Sequence, residues 1–228
     1  MSTSIGNTLL TYPSGATQST IAVDYGQLIG MSVFTPAPGV PTYQWTNPGA
    51  TMVQVKLVGA GGGAAGYCES GGAGGYAEGY FSVAGVATVS VTIGSGGAGV
   101  GYYAAAGNGG TTSFGSYLSA TGGNGANQNY THSGGHGGVG SGGQTNLQGG
   151  GGGGHVNHAG SNTMGRGGYS YFGGATALVR NHGNNSLYGP MPGGAPGTGA
   201  PGLMTDGYYE SLTSQIGKDG IVIVYAYK

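Results

Sequence analysis

Charge is nearly absent from this chain. Its 228 residues carry five Lys and Arg and six Asp and Glu, for a net charge of −1. Charged residues make up 5%, against about 25% in an ordinary soluble domain. The five cations, Lys56, Arg166, Arg180, Lys218 and Lys228, are scattered. Nucleic acid is therefore not an expected partner, because phosphate neutralisation needs clustered Lys and Arg. Cysteine is reduced to Cys68, which excludes an intrachain disulfide. No basic start leads into an apolar core and no apolar run is long enough to cross a bilayer, so neither a secretory signal nor membrane insertion is expected. The chain is expected to be made in a cytoplasm and to reach any extracellular site by lysis or by assembly into a particle. No segment has a helical period. The acids are too few and too dispersed to join a serine and a histidine in a catalytic group, so no enzyme activity and no cofactor are expected.

What fills the space is glycine, 58 residues of it, together with 17 tyrosines. Residues 133–154 read SGGHGGVGSGGQTNLQGGGGGG, with no charge at all. Most tracts this rich in glycine are floppy linkers, because glycine loses more backbone entropy on ordering than any other residue. Disordered chains, however, carry high net charge and few aromatics. Here the tracts are interrupted at short intervals by aromatics and histidines, and well-patterned strands flank them. We read them as an ordered slab in which backbone packs on backbone.

The strands follow from alternation. Val53, Val55 and Leu57 lie on one face of a segment over residues 52–58, with Gln54 and Lys56 on the other. Residues 76–83 and 86–93 give two more strands, the latter with Val89, Val91 and Ile93 on one face. Residues 111–114 and 117–121 predict a hairpin about Gly115-Ser116. Residues 220–227 (GIVIVYAY) form a closing strand expected to pair with residues 52–58. Ahead of these, residues 8–12, 19–23, 27–35 and 43–46 are short strand signals, and residues 1–45 read as a docking or collar segment. The expected fold is all-β: sandwich-like strands bracketing a glycine-rich insertion packed as polyglycine or polyproline-II-type helices, without significant α-helix. Such helices have three residues per turn and no internal hydrogen bonds, so their amides and carbonyls are open to neighbours. The Gly-Gly-X run at residues 134–140 has that period.

Residues 46–63 (TNPGATMVQVKLVGAGGG) resemble the glycine-rich domain found at the tips of tailed-bacteriophage tail fibres. The resemblance continues through GAGGYAEG at 72–79, VSVTIGSGG at 89–97, GGTTSFG at 109–115 and GKDGIVI at 217–223, and covers about residues 33–228. It implies a receptor-binding tip over residues 46–228, carried in the virion on a fibre, usually homotrimeric, with a polyglycine-type sandwich and variable binding loops. The implied partners are a bacterial surface receptor (lipopolysaccharide, capsule or outer-membrane protein) and other tail-fibre or baseplate proteins.

Other constellations are weaker. Gly61-Gly62-Gly63-Ala64-Ala65-Gly66 fits G-x-G-x-x-G, but residues 67–72 do not begin the helix a dinucleotide site needs. His155 and His158 have HxxH spacing with no carboxylate or thiol nearby, so no metal is assigned. The aromatic clusters carry more information: Tyr102-Tyr103, Tyr130 with His132, His155 with His158, Tyr169-Ser170-Tyr171-Phe172, Arg180-Asn181-His182 and Tyr208-Tyr209. Each lies between glycine runs. Tyr, His, Asn and Arg supply rigid contact area and adaptable hydrogen bonds, as in antibody loops. They either bind a receptor or pack bundle ends and subunit contacts. The functional reading is an adhesin. The alternatives are a capping or connecting particle protein without receptor contact, and an ice-binding slab, against which the bulky aromatics speak.

Overall fold

The computed structural model describes residues 26–38, 40, 42–65, 69–100, 104–127, 133–154, 165–174, 194–202 and 215–228, and the backbone of four short strands at 9–11, 17–19, 156–158 and 161–163. No helix occurs among them. In chain order the strands are β1 (Leu9–Thr11), β2 (Thr17–Ser19), β3 (Leu28–Phe34), β4 (Thr42–Thr46), β5 (Met52–Val58), β6 (Tyr76–Ser82), β7 (Thr88–Thr92), β8 (Thr112–Phe114), β9 (Leu118–Ala120), β10 (Gly140–Ser141), β11 (Thr145–Leu147), β12 (Val156–His158), β13 (Ser161–Thr163) and β14 (Ile221–Tyr227).

Two five-stranded antiparallel sheets, in the orders β11-β6-β5-β14-β3 and β10-β9-β8-β7-β4, form a sandwich. The closing strand β14 pairs with β5 along its whole length, Ile221 opposite Val58 and Tyr227 opposite Met52, as the alternation predicts. It also pairs with β3 on its other side. The expected hairpin is β8–β9, turning at Gly115 with φ +52°. The boundary expected after residue 45 falls within β4, which pairs with β7, and β3 is a member of the other sheet.

The alternating residues meet between the sheets. Val53, Val55, Leu57, Val222 and Val224 from one sheet face Trp45, Val89, Val91, Phe114 and Leu118 from the other, all buried. Trp45 and Phe114 pack edge to face with centroids 5.7 Å apart. Asn47 ties the turn between β4 and β5 to the β6–β7 connection. Its Oδ1 accepts from the amides of Gly49 (3.0 Å) and Ala50 (2.7 Å). Its Nδ2 faces the carbonyls of Ala50, Val83 and Val86 at 2.9–3.1 Å.

Beyond the sandwich the strands continue into glycine runs that are neither sheet nor helix. Residues 59–65 extend β5, and their amides fan out in three directions with a three-residue step. Gly59, Gly62 and Ala65 donate to Gly75, Gly72 and Glu69; Ala60 and Gly63 donate to Gly110 and Gly107; Gly61 and Ala64 donate to Lys218 and Gln215. Their carbonyls accept in three further directions, from Gly123 and Ala126, from Gly97 and Val100, and from Ala200. This one run is thus bonded to six neighbouring runs, as a helix with three residues per turn and no internal bonds would be. Residues 69–75 repeat the pattern, donating to the runs at 148–154, 194–202 and 121–127 and accepting from those at 59–65, 133–139 and 165–168.

The same period appears in burial. Along residues 121–127 and 133–139 every third residue is exposed: Thr121, Asn124 and Asn127, then Ser133, His136 and Val139. The glycines between them point inward. A Cβ at Gly61, Gly74 or Gly199 would collide with the carbonyl of Thr198, Gly59 or Gly71. Side chains therefore occur where a run faces outward, and the glycines are fixed by close approach of main chains. The buried amides and carbonyls of the central runs find partners in neighbouring runs, which is the condition for burying backbone at all.

Candidate functional site

The register of the runs sorts their ends. Gly59, Gly75, Gly94, Gly110, Thr121, Val139, Gly197 and Gly220 lie beside the sandwich, as their bonds to one another and to strand ends show. Opposite them a second set gathers. Ala65 donates to Glu69, Val100 to Ala64, Ala106 to Ala126, Ser70 to Gly153, Gly202 to Gly165 and Ala64 to Gln215. The Gly202 amide also donates to the buried Ser70 Oγ at 2.9 Å. Ala65 forms isolated bridges with Glu69 and Val100, and Asn127 with Ser133. Hydrogen bonds thus fix at one end the anchor points of the connections at 66–68, 101–103, 128–132, 155–164 and 203–214.

Those connections carry Tyr102, Tyr103, Tyr130, His132, His155, His158, Tyr208 and Tyr209. Apart from the backbone of the β12–β13 hairpin, where His158 is opposite Ser161, they lie outside the described residues. Arg180, Asn181 and His182 also lie outside them, in the connection at 175–193, which leaves and re-enters at the sandwich end.

Tyr169, Tyr171 and Phe172 are described, and they too are at the sandwich end. Tyr169 is one three-residue step from Arg166 on the outward row of its run, and the Arg166 guanidinium lies 5.7 Å from its ring centroid. Tyr171 stacks on Tyr76 at the start of β6, with centroids 3.6 Å apart and planes within 14°. Phe172 meets both rings edge-on, at 5.9 and 5.5 Å.

This aromatic group leans on a polar cluster absent from the sequence expectations. The Tyr76 hydroxyl donates to Glu78 Oε2 at 2.7 Å, and Gln54 Nε2 donates to Glu78 Oε1 at 2.6 Å. Lys56 Nζ lies 3.3 Å from Glu78 Oε1. Burial pushes the Tyr76 hydroxyl far above its ordinary range, and its bond to Glu78 adds to the shift. At Glu78 burial works to raise the pKa, but hydrogen bonds from Tyr76, Gln54 and Lys56 outweigh it and hold the carboxyl below its usual value. At Lys56 burial acts to lower the pKa and loses to the Glu78 bond, so the ammonium is held above its usual value. The cluster is a neutral ion pair, its carboxylate further bonded by Gln54 and Tyr76. Cross-strand pairing of Lys56 with Glu78 was the signal available for it. Nothing in the pattern indicated that Tyr171 would fold back on Tyr76.

A family model described as a glycine-rich domain matches residues 38–227. No curated protein matches the chain.

Proposed function

The chain belongs to the glycine-rich domain family, and from that premise we propose that it is an adhesin, the tip of a phage tail fibre that recognises a bacterial surface receptor. One observation supports the reading above others: five connections are anchored together at the end of the glycine lattice opposite the sandwich. A lattice with six neighbours around each central run is a stiff support, and connections of different length leaving one end of it are free to vary without disturbing it. Connections whose two ends are held on one support have less chain entropy to lose on binding, which favours recognition by modest aromatic and polar contacts. Tyr102, Tyr103, Tyr130, His132, His155, His158, Tyr208 and Tyr209 belong to these connections. In this reading they form the receptor surface, while the sandwich and residues 1–45 face other fibre or baseplate proteins. The recognition involves no covalent chemistry.

The test is competition. Purified chain should bind host cells and block adsorption of the phage that carries it. Exchanging residues 128–132 and 203–214 for those of a relative with another host should transfer that specificity. If the chain neither binds cells nor competes, while particles lacking it fail to assemble, it is a capping or connecting protein instead.

A further inference from the structure

The two sheets have opposite outer faces. On the β4-containing sheet the outward residues are Thr42, Gln44, Thr46, Thr88, Ser90, Thr92, Ser113 and Ser119, all small or polar, as a solvated face should be. On the β5-containing sheet the register places Met31 and Val33 of β3, Ile223, Tyr225 and Tyr227 of β14, Met52 of β5 and Tyr80 of β6 on the outside. Met31 is 61% exposed and Tyr80 52%. Leu28, beside Tyr227, is 52% exposed. A cleft of about 300 Å³ opens on this face between Met52, Tyr80 and Tyr227, at the end away from the glycine lattice.

We propose that this apolar sheet face is an interface between copies of this chain. Its size is suitable. Four seven-residue strands span about 23 Å by roughly 20 Å, or ~450 Å² in projection, with, among the described residues, only the corner at Tyr76 already covered, by Tyr171 and Phe172. With side-chain relief that approaches the ~600–800 Å² per partner of the smaller stable interfaces. Its composition is that of an interface core, rich in Tyr and Met and poor in charge.

Its charges favour a self-partner. Lys56 and Glu78 are paired with each other, and Gln54 and Tyr76 add two bonds to the carboxylate, so the pair enters the interface with its charge neutralised. Apart from that pair the outward strand residues of this face are uncharged, and Lys228 stands at the rim of the cleft, so the face meets its own image with little repulsion and carries no charge pattern that selects a different protein. This interface stands on the two sheets alone and is independent of what the far end of the lattice binds.

Sedimentation of the full chain between about 1 and 50 μM tests it. The expected result is a mass that is a multiple of 22.1 kDa. M31E combined with M52E should weaken association at least ~100-fold, two like charges being brought together on each side of the contact. T46E combined with S113E, the same charge change on the polar face, should leave it intact. A thermal melt shows whether each variant folds. Independently of the variants, peroxide oxidation of Met31 and Met52 in the unmodified chain should slow as concentration rises through the association range. A monomer at 50 μM, or assembly that survives M31E/M52E in a folded protein, overturns the proposal. So does protection of both methionines at every concentration, which would assign the face to the chain's own residues 1–25.

Discussion

Two alanine substitutions of the same chemistry should move stability in opposite directions. Gly62 sits in a run bonded to six neighbours, donating to Gly72 O at 2.8 Å and accepting from Ala200 N at 3.0 Å. A Cβ there would lie well inside 3.0 Å of the Asn124 carbonyl oxygen and carbon. That oxygen cannot retreat freely, because it accepts the Gly72 amide at 2.9 Å, and the Asn124 amide is held by His136 O at 2.8 Å. Overpacking a core usually costs about 1–3 kcal/mol when side chains can shift. Here the obstacle is main chain on a shared lattice, so Gly62→Ala should cost ~3 kcal/mol or more. For a domain of this size that lowers the Tm by roughly 6–12 °C. Gly151 is an outward position, and the nearest heavy atom to a Cβ there is Gly135 O at 3.6 Å. Its φ is not positive, so alanine loses nothing on folding and restricts the unfolded chain. Gly151→Ala should therefore stabilise by about 0.4–1 kcal/mol, a rise of roughly 1–4 °C. Differential scanning calorimetry reads both. Equal shifts for the two variants, or a tolerated Gly62→Ala, would refute the reasoning.

Asn47→Asp should destabilise by roughly 2–3 kcal/mol, since three carbonyls would then face a carboxylate in place of an amide donor; denaturant titration measures it. Glu78 is held below its ordinary value of 4.5, so its contribution is present above that pH and is lost as pH falls through its folded pKa. Glu78→Gln should flatten the acid arm of Tm against pH below about 4.5, by less than ~1 kcal/mol because the pair is partly exposed. Tyr171→Ala should cost roughly 0.5–1.5 kcal/mol through loss of the Tyr76 stack. It should leave cell adsorption less affected than paired alanine substitutions at Tyr208 and Tyr209, which lie in a connection anchored at the opposite end.

The sandwich was legible because its strands alternate. Val53, Val55 and Leu57 announce a half-buried strand, and the apolar run at 221–227 is a strand of matching length to pair with it. The three-residue period was legible where outward positions carry side chains, as at His136 and Val139. It was hidden at 149–154, where the outward position is itself glycine. Sequence did not show that most of the runs continue a strand of the sandwich, so that the glycines form one lattice built on it rather than a block between strands; that follows from long-range bonds such as Gly61 to Lys218. The candidate aromatics were recognisable as interruptions, but not by which end of the lattice they serve. Tyr171 and Phe172 fold onto Tyr76 because the run carrying Tyr169 ends beside β6, a tertiary fact with no local signature.

Hydrogen exchange of individual amides tests the glycine lattice most directly. The amides of Gly62, Gly63, Gly72 and Gly74 should exchange as slowly as those of Val55 and Val224 in the sheet, because each is bonded within the lattice. Exchange at those glycines at the rate of an unstructured chain, while β5 and β14 remain protected, would contradict the account.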